Sequence, residues 1–439
     1  MPERWTEEYN MVCRQSGEYF ELSKTIRCKI TSYYINLIYL IMENVRIKET
    51  LHVKNAGPLS DTGVIIINPL TVLIGDSASG KSTLMKIIIL MRYIYKRHNI
   101  RSYIKNSNVD DKVFYIRFND MLRDDMRLII NKDTFIEYTV EINGHSYTLK
   151  YENGKLTPLN VIPNDDLIFS KEAWISEMRS AIAPIISRGT LAKNASLGFY
   201  FDETLSDFDI ATNNIKHFDL NYIGLKMDVQ KGGNNQKKFV LRPQDGKYGP
   251  FELKNASSGI QTTTPLLAIT KYFTTDFSFK AAQKRNIIDF LFEKDLTTKY
   301  HPEIELTDLT KLVHLHIEEP ELSLDPTSQI RFVNELIRLA FYAKNEDRQV
   351  GLVMATHSPY IVNDLNLLMK AFDCDTTIDG SKLDYDQLSV YQIKEGRAID
   401  LKIRNIHYIN TDRLSEDINA IYDTYQSLKD NYDEGTAGK

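Results

Sequence analysis

The stretch Gly75-Asp76-Ser77-Ala78-Ser79-Gly80-Lys81-Ser82 decides how the rest of this 439-residue chain is read. It is G-x-x-x-x-G-K-[ST], and it lies between a short apolar run, Thr71 to Ile74, and a segment in which Leu84, Ile87, Ile88, Met91 and Ile94 recur at helical spacing. A strand, a glycine-rich loop and a helix in that order let backbone N–H groups turn toward a phosphate, with the positive end of the helix dipole behind them. The pattern predicts a nucleotide cradle. Gly75, Ser77, Ser79, Gly80, Ser82 and Thr83 would line it, Lys81 would reach the β and γ phosphates, and Ser82 would hold Mg²⁺. ATP and Mg²⁺ are the expected ligands.

Outward from the loop, residues 1–41 show no sustained period of 2 or 3.6 and read as an extension, one that an upstream start codon would explain. The ordered domain is expected to begin near Met42. Strands are predicted at Val45–Val53, Val64–Ile67, Val113–Phe118, Phe135–Ile142 and Ser146–Tyr151, and a helix at Ser82–Tyr95. Asn143-Gly144 between the last two strands is a hairpin signal. These make residues 42–154 an N-lobe, and the less regular stretch 155–250 reads as an inserted lid or subdomain. Residues 251–375 read as a C-lobe, with a helix near Gly259–Tyr272 and a second insertion to about residue 310. Apolar strands at Leu312–Ile317 and Val350–Ala355 flank an amphipathic helix over Pro326–Lys344, the pattern of a parallel sheet covered on both faces. Residues 376–439 read as a β/α tail. No run of three or four heptads supports a coiled-coil arm.

A second half of a site is predicted at the ends of those strands. Glu318 and Glu319 follow Leu312–Ile317, where acids face the crevice that binds ligands in open α/β sheets. Glu318 would hold Mg²⁺, and Glu319 would orient and deprotonate an attacking water; a solvated acidic turn is the bland alternative. Thr356-His357-Ser358-Pro359 closes the strand Val350–Ala355, so His357 would sense a γ-phosphate or else be a loop residue. Ser257-Ser258-Gly259-Ile260-Gln261 opens a helix, offering Ser258 and Gly259 as phosphate donors or a plain cap with Gln261 reaching back. Pro265 should bend that helix or loosen its first turn.

Composition narrows the field. Hydrophobic residues are 42% and charged residues 26% of the chain, which excludes a disordered, collagen-like or disulfide-scaffold protein. The net charge of −5 supplies no global field to hold nucleic acid or anionic lipid. Local basic groups remain, Arg92, Lys96, Arg97, Arg101 and Lys105, and Lys231, Lys237 and Lys238; solvated surface is the other reading. Cys13, Cys28 and Cys374 form no C-x-x-C pair, and no stretch reaches the roughly 20 apolar residues of a bilayer helix. Glu3, Glu7 and Glu8 are wrong for an export signal, so a cytoplasmic protein is expected, with no membrane partner.

These four elements in this order resemble ABC-type ATPase heads, the family of transporter motors, SMC-like repair ATPases and prokaryotic defence ATPases. Residues 318–325, Glu-Glu-Pro-Glu-Leu-Ser-Leu-Asp, are similar to the Walker B segment running into the D-loop at Asp325. Ser257 to Gln261 resembles the signature motif and His357 the switch histidine. Glu318 in place of the usual Asp, and Ile260 in place of a second Gly, resemble the branch holding the OLD ATPases and the ATPase subunits of the PARIS and Septu-type antiphage systems. Both insertions lengthen the head beyond the transporter pattern. The resemblance implies an α/β head with a mostly parallel central sheet, an antiparallel β subdomain and an inserted α-rich lid. It also implies a homodimer or higher even oligomer closed on ATP, with Ser258, Gly259, Gln261 and Asp325 at the shared nucleotide.

OLD proteins carry a Toprim nuclease after the ATPase, and only Ser358–Lys439 follows His357 here, so that domain is expected to be absent. The D-x-D pairs Asp373/Asp375 and Asp384/Asp386 follow no buried strand and read as loop carboxylates. A separate effector, a nuclease or toxin held by the insertions and the tail from about Asp379, is the implied partner. The alternatives are an SMC-like DNA-repair ATPase and a slowly hydrolysing scaffold stabilised by nucleotide. Asn119 is the one position offered for a Q-loop glutamine.

Overall fold

The run Leu70-Thr71-Val72-Leu73-Ile74 has no polar alternation, and all five residues are buried, as a strand covered on both faces requires. A computed structural model of the chain describes residues 47–110, 114–123, 125–187, 197–231, 237–343, 347–415 and 420–429. The extension 1–41 lies outside the described residues. Two alternating strands, β1 (Ile47–Ala56) and β2 (Leu59–Ile67), pair antiparallel and lead into the buried run, β3 (Leu70–Ile74). The loop that follows delivers the chain into α1 (Lys81–Asn106).

Helix α1 continues eleven residues past the expected Tyr95 because its later polar groups are buried and used. Asn99 Oδ1 accepts from the Ile168 amide at 2.9 Å, and Ser102 Oγ from the Ile162 amide at 3.0 Å. Strands β4 (Phe135–Ile142) and β5 (His145–Glu152) meet at Asn143-Gly144, both at positive φ, as a tight hairpin demands. With β6 (Lys155–Thr157) they complete a five-stranded sheet in the order β2-β1-β4-β5-β6. The strand expected at Val113–Phe118 does not form over its described residues. Phe118 instead opens a single helical turn and stacks on Tyr151, ring centres 4.4 Å apart.

The segment 155–250 departs most from expectation. It contains β7 (Ile168–Ile175), which is a strand of the central sheet and not part of a lid. Lys171 and Glu172 interrupt its apolar run, and each is satisfied inside the protein. Lys171 pairs with Asp207 at 2.9 Å, and Glu172 with His314 at 3.1 Å. Helix α2 (Phe199–Asn214) follows, then β8 (His217–Leu220), β9 (Leu225–Lys231), β10 (Lys237–Pro243) and β11 (Phe251–Glu252), a second antiparallel sheet in the order β11-β10-β9-β8. The inserted part is thus built on a β-sheet rather than α-rich.

Helix α3 (Ser258–Lys271) runs through Pro265 without ending, its residues from Thr262 to Thr270 all buried. The elements that complete the central sheet and its cover are β12 (Thr310–Glu318), α4 (Pro326–Ile337), β13 (Gln349–Thr356), α5 (Pro359–Asp373), β14 (Leu388–Lys394) and β15 (Arg397–Asp400). The central sheet has the order β15-β14-β3-β13-β12-β7, with every pair parallel except the β14–β15 edge. The fold is therefore mixed α/β, a mostly parallel core sheet with antiparallel sheets and helices. One buried network ties it together. Arg92 of α1, 3% exposed, donates to Glu49 of β1 at 2.8 and 2.9 Å and faces His316 Nε2 of β12 at 3.1 Å, while Tyr138 of β4 donates to the same carboxylate. Burial alone would raise the Glu49 carboxyl; Arg92 and His314 more than reverse that. No described helix is long and apolar enough to cross a membrane.

Candidate functional site

Register sets where the strands of the central sheet end. Ile74 pairs with Thr356, Glu318 with Ala355, and Ile317 with Ile175, so the carboxyl ends of β3, β13, β12 and β7 are level. Four exits therefore stand side by side: the glycine loop, His357, Glu318-Glu319 and Ser176-Glu177. Interposing β13 between β3 and β12 puts His357 between the loop and the carboxylates.

The loop keeps its shape at a conformational cost. Ala78 sits at φ 61, a left-handed position that costs an alanine roughly 1 kcal/mol. Gly75 admits no side chain, because a Cβ there would collide with the main-chain carbonyl of Ile393 on β14. Gly80 caps α1, and Lys81, 5% exposed, donates to the carbonyls of Gly75 at 2.9 Å and Asp76 at 2.7 Å. Burial lowers the Lys81 ammonium, while Glu319, Asp76 and Glu321 support its charge. Ser79 Oγ is buried with no hydrogen-bond partner among the described residues. Ser77 and Ser82 are exposed and Thr83 is half-buried. A buried cation, an unused hydroxyl and a loop with no room for a Cβ fit a phosphate chain.

Glu318 ends β12, is 7% exposed, and faces Ser82 and Glu177. Burial and the facing Glu177 push it up to about 8, while Glu177 is held below its usual range by the bond it receives from Glu318. Ser82, Glu318 and Glu177 are oxygen donors of the kind a hard divalent cation takes. Glu177 escaped the sequence reading, since the strand that delivers it was not recognised. Asn119, offered for a Q-loop role, lies exposed on the turn Phe118–Met121.

Glu319 is the next residue and leaves the ladder. Its amide still donates to Ala355 O at 2.8 Å, but its φ is 43, which turns the carboxylate out toward His357. Glu319 Oε1 lies 3.7 Å from His357 Nε2, both side chains a little over a third exposed. Glu321 holds the histidine segment in place, its Oε1 accepting from the His357 amide at 2.6 Å. The other Glu321 oxygen is buried without a partner among the described residues. Ser358 begins α5 and donates to Gln329 at 2.6 Å.

The signature-like residues lie at the start of α3. Ser257 and Ser258 are exposed, Gly259 is buried, and the Gln261 amide reaches back to the carbonyls of Lys254 at 3.1 Å and Ala256 at 2.9 Å. The reciprocal capping box does not form, because the Gln261 side chain binds those carbonyls and the Ser257 hydroxyl accepts no cap bond. Asp325 caps α4, accepting from Thr327 N and Ser328 N, each at 3.1 Å.

Several expected features fall elsewhere. Arg92 is buried in the Glu49 network, and Arg97 is half-buried over the Phe114 ring at 4.1 Å, so these two cannot belong to an open basic track. Asp375 pairs with Lys382 at 2.9 Å and Asp384 accepts from the Asp386 amide at 3.0 Å. Among the described residues no cluster of three or more His, Cys, Asp or Glu is placed to hold a metal. Cys374 is exposed and free; Cys13 and Cys28 lie outside the described residues.

No family model and no curated protein matches the chain. Among solved structures it is similar to an SMC head domain from Thermotoga maritima, at 12% identity and TM-score 0.32, covering 82% of this chain and 99% of that one. It is also similar to an ATP-binding cassette in a dimeric post-hydrolysis state bound to ADP and Pi, at 12% identity and TM-score 0.29, covering 81% and 99%. A third is the recombination mediator RecF of the RecFOR pathway, at 11% identity and TM-score 0.30, covering 81% and 98%.

Proposed function

We propose that this chain is an ABC-type ATPase that binds ATP with Mg²⁺, closes as a homodimer over two nucleotides, and hydrolyses them to ADP and phosphate. The observation that carries the reading is the meeting of four strand exits, which brings Lys81, Ser82, His357, Glu318, Glu319 and Glu177 to the carboxyl end of the central sheet. The glycine loop would bind the phosphate chain, with Lys81 leaving the Gly75 and Asp76 carbonyls for the β and γ phosphates. Glu319 would take a proton from the attacking water, and His357 would donate to the γ-phosphate. Ser82 and Glu318, with Glu177 beside them, would hold Mg²⁺, which supplies the positive charge that offsets charge developing on the phosphates.

Ser258 and Gly259 would meet the γ-phosphate bound by a second copy, arranged by a two-fold axis. Losing that phosphate removes the contact and favours the open dimer. The Glu-Glu-Pro-Glu and Ala-Thr-His-Ser-Pro motifs support the OLD-like branch, and with it a role in antiphage defence in which the ATPase holds or releases a nuclease or toxin. Burial of Arg92 weighs against the DNA-repair alternative.

Phosphate release by purified protein tests the reading. Wild type with Mg-ATP should turn over, and Glu319→Gln should lose on the order of a hundredfold or more. Equal release by the two proteins would reject Glu319 as the base, and no release by wild type would reject hydrolysis and leave the scaffold reading.

A further inference from the structure

Arg179 is fully buried, at 0% exposure, in the short helical turn Glu177–Ala181 that follows β7. Among the described residues its four hydrogen bonds all go to main-chain carbonyls. Nη1 donates to Ser176 O at 3.1 Å and Glu318 O at 2.7 Å, Nη2 to Glu319 O at 2.5 Å, and Nε to Thr262 O at 3.0 Å. One planar fork thus spans two successive carbonyls, those of the proposed Mg²⁺ ligand and the proposed base, and its third edge reaches the first turns of α3. A lysine, with a single point of charge, cannot cover that geometry. Burial pulls the guanidinium down to about 10, while Glu321, Glu319, Glu177 and Glu318 support its charge, so it stays protonated at neutral pH.

The same helix end meets the carboxylate turn at two further points. The Thr262 hydroxyl lies between Gly259 O of its own helix at 2.8 Å and Leu322 O at 3.0 Å, bridging the two, and a Cβ on Gly259 would stand 2.8 Å from Ser323 O. Thr262 is one helical turn beyond Ser258, the exposed residue proposed to face a second copy's nucleotide. Glu319, for its part, holds a left-handed φ of 43 that its neighbours must maintain.

We infer that Arg179 is a positioning residue that couples the Ser258 end of α3 to the Glu318-Glu319 turn of the same protomer, so that engaging the partner's nucleotide aims this protomer's own base. The inference rests on the ATPase-dimer reading and specifies its regulation. Hydrolysis at the two sites is then linked through the body of each head: displacement of α3 by the partner's γ-phosphate carries the two carbonyls bonded to Arg179, and the carboxylates with them.

The test is steady-state phosphate release against ATP concentration, with nucleotide affinity measured separately by equilibrium binding in the full chain. Arg179→Lys keeps the charge and loses the fork. It should lower kcat roughly tenfold, bring the Hill coefficient from above 1 in wild type toward 1, and leave ATP affinity within about threefold. A merely structural arginine would instead lower melting temperature and binding together with turnover, or change none of them, and either result overturns the inference. Should Arg179→Lys fail to fold, Thr262→Val removes the hydroxyl link while keeping the shape; a reduced Hill coefficient supports the coupling and an unchanged one refutes it. Wild type that releases no phosphate would sink the ATPase reading, whereas active wild type with an indistinguishable Arg179→Lys sinks only the role given to Arg179.

Discussion

The two halves of the site are held by different means. The Gly75–Thr83 half is shaped by backbone, through a glycine whose Cβ the Ile393 carbonyl of β14 would meet, an alanine at φ 61 and a lysine folded onto carbonyls five and six residues away. The Glu318–His357 half is shaped by side chains from distant sequence. Arg179 bonds the carbonyls of Glu318 and Glu319, Glu177 faces the Glu318 carboxyl, and Glu321 fixes the His357 amide. The first half is constrained by main chain, its own and that of β14; the second is constrained by side chains brought from elsewhere in the fold. Changes in the first should act abruptly on binding, and changes in the second should be graded and fall on turnover.

The largest effect is expected at Gly75. Gly75→Ala drives a methyl into the Ile393 carbonyl, so ATP binding should fall below detection in a titration, with about 1–3 kcal/mol of stability lost. Binding that survives would break the claim that this half depends on backbone shape.

This contrast also explains what could be read in advance. The loop, the strands around Leu73, Ile317 and Val353, and the carboxylates at their ends follow patterns that need only neighbouring residues. Strand β7 was hidden because Lys171 and Glu172 look like surface groups until Asp207 and His314 are found beside them. Glu177 and Arg179 were lost with it. The full length of α1 was hidden in the same way, by polar residues whose partners lie in 162–168. Val113–Phe118 erred in the other direction: its apolar residues fitted a strand, but Phe118 packs as part of a helical turn.

A graded pair comes next. His357→Ala removes the side chain near Glu319 and should reduce phosphate release by roughly ten- to a hundredfold with ATP affinity kept. Glu321→Ala, which acts on His357 through its amide, should show a smaller reduction of the same kind. An equal or larger loss for Glu321→Ala, or a loss confined to affinity, would contradict the proposed order of action.

The smallest effect on turnover is expected on α5, where Asp364 is buried, with one carboxyl oxygen lacking a partner among the described residues. Burial, and then Asp379, push its carboxyl up to about 7. The folded pKa is above the unfolded one, so this group's contribution to stability is fully present below about pH 4 and is lost as pH rises through 7. Asp364→Asn should therefore stabilise the protein at pH 8, by up to about 4 kcal/mol, with little change at pH 4 and none in phosphate release. Melting curves at the two pH values check it, and equal shifts at both would contradict the assignment.

The central claim is that two copies share each nucleotide through Ser258. Light scattering on Glu319→Gln, which should retain ATP, measures it most directly. With Mg-ATP the mass should double from monomer to dimer, and adding Ser258→Arg to the same chain should keep it a monomer. A dimer that forms equally without nucleotide, or that persists with Ser258→Arg, would contradict the account.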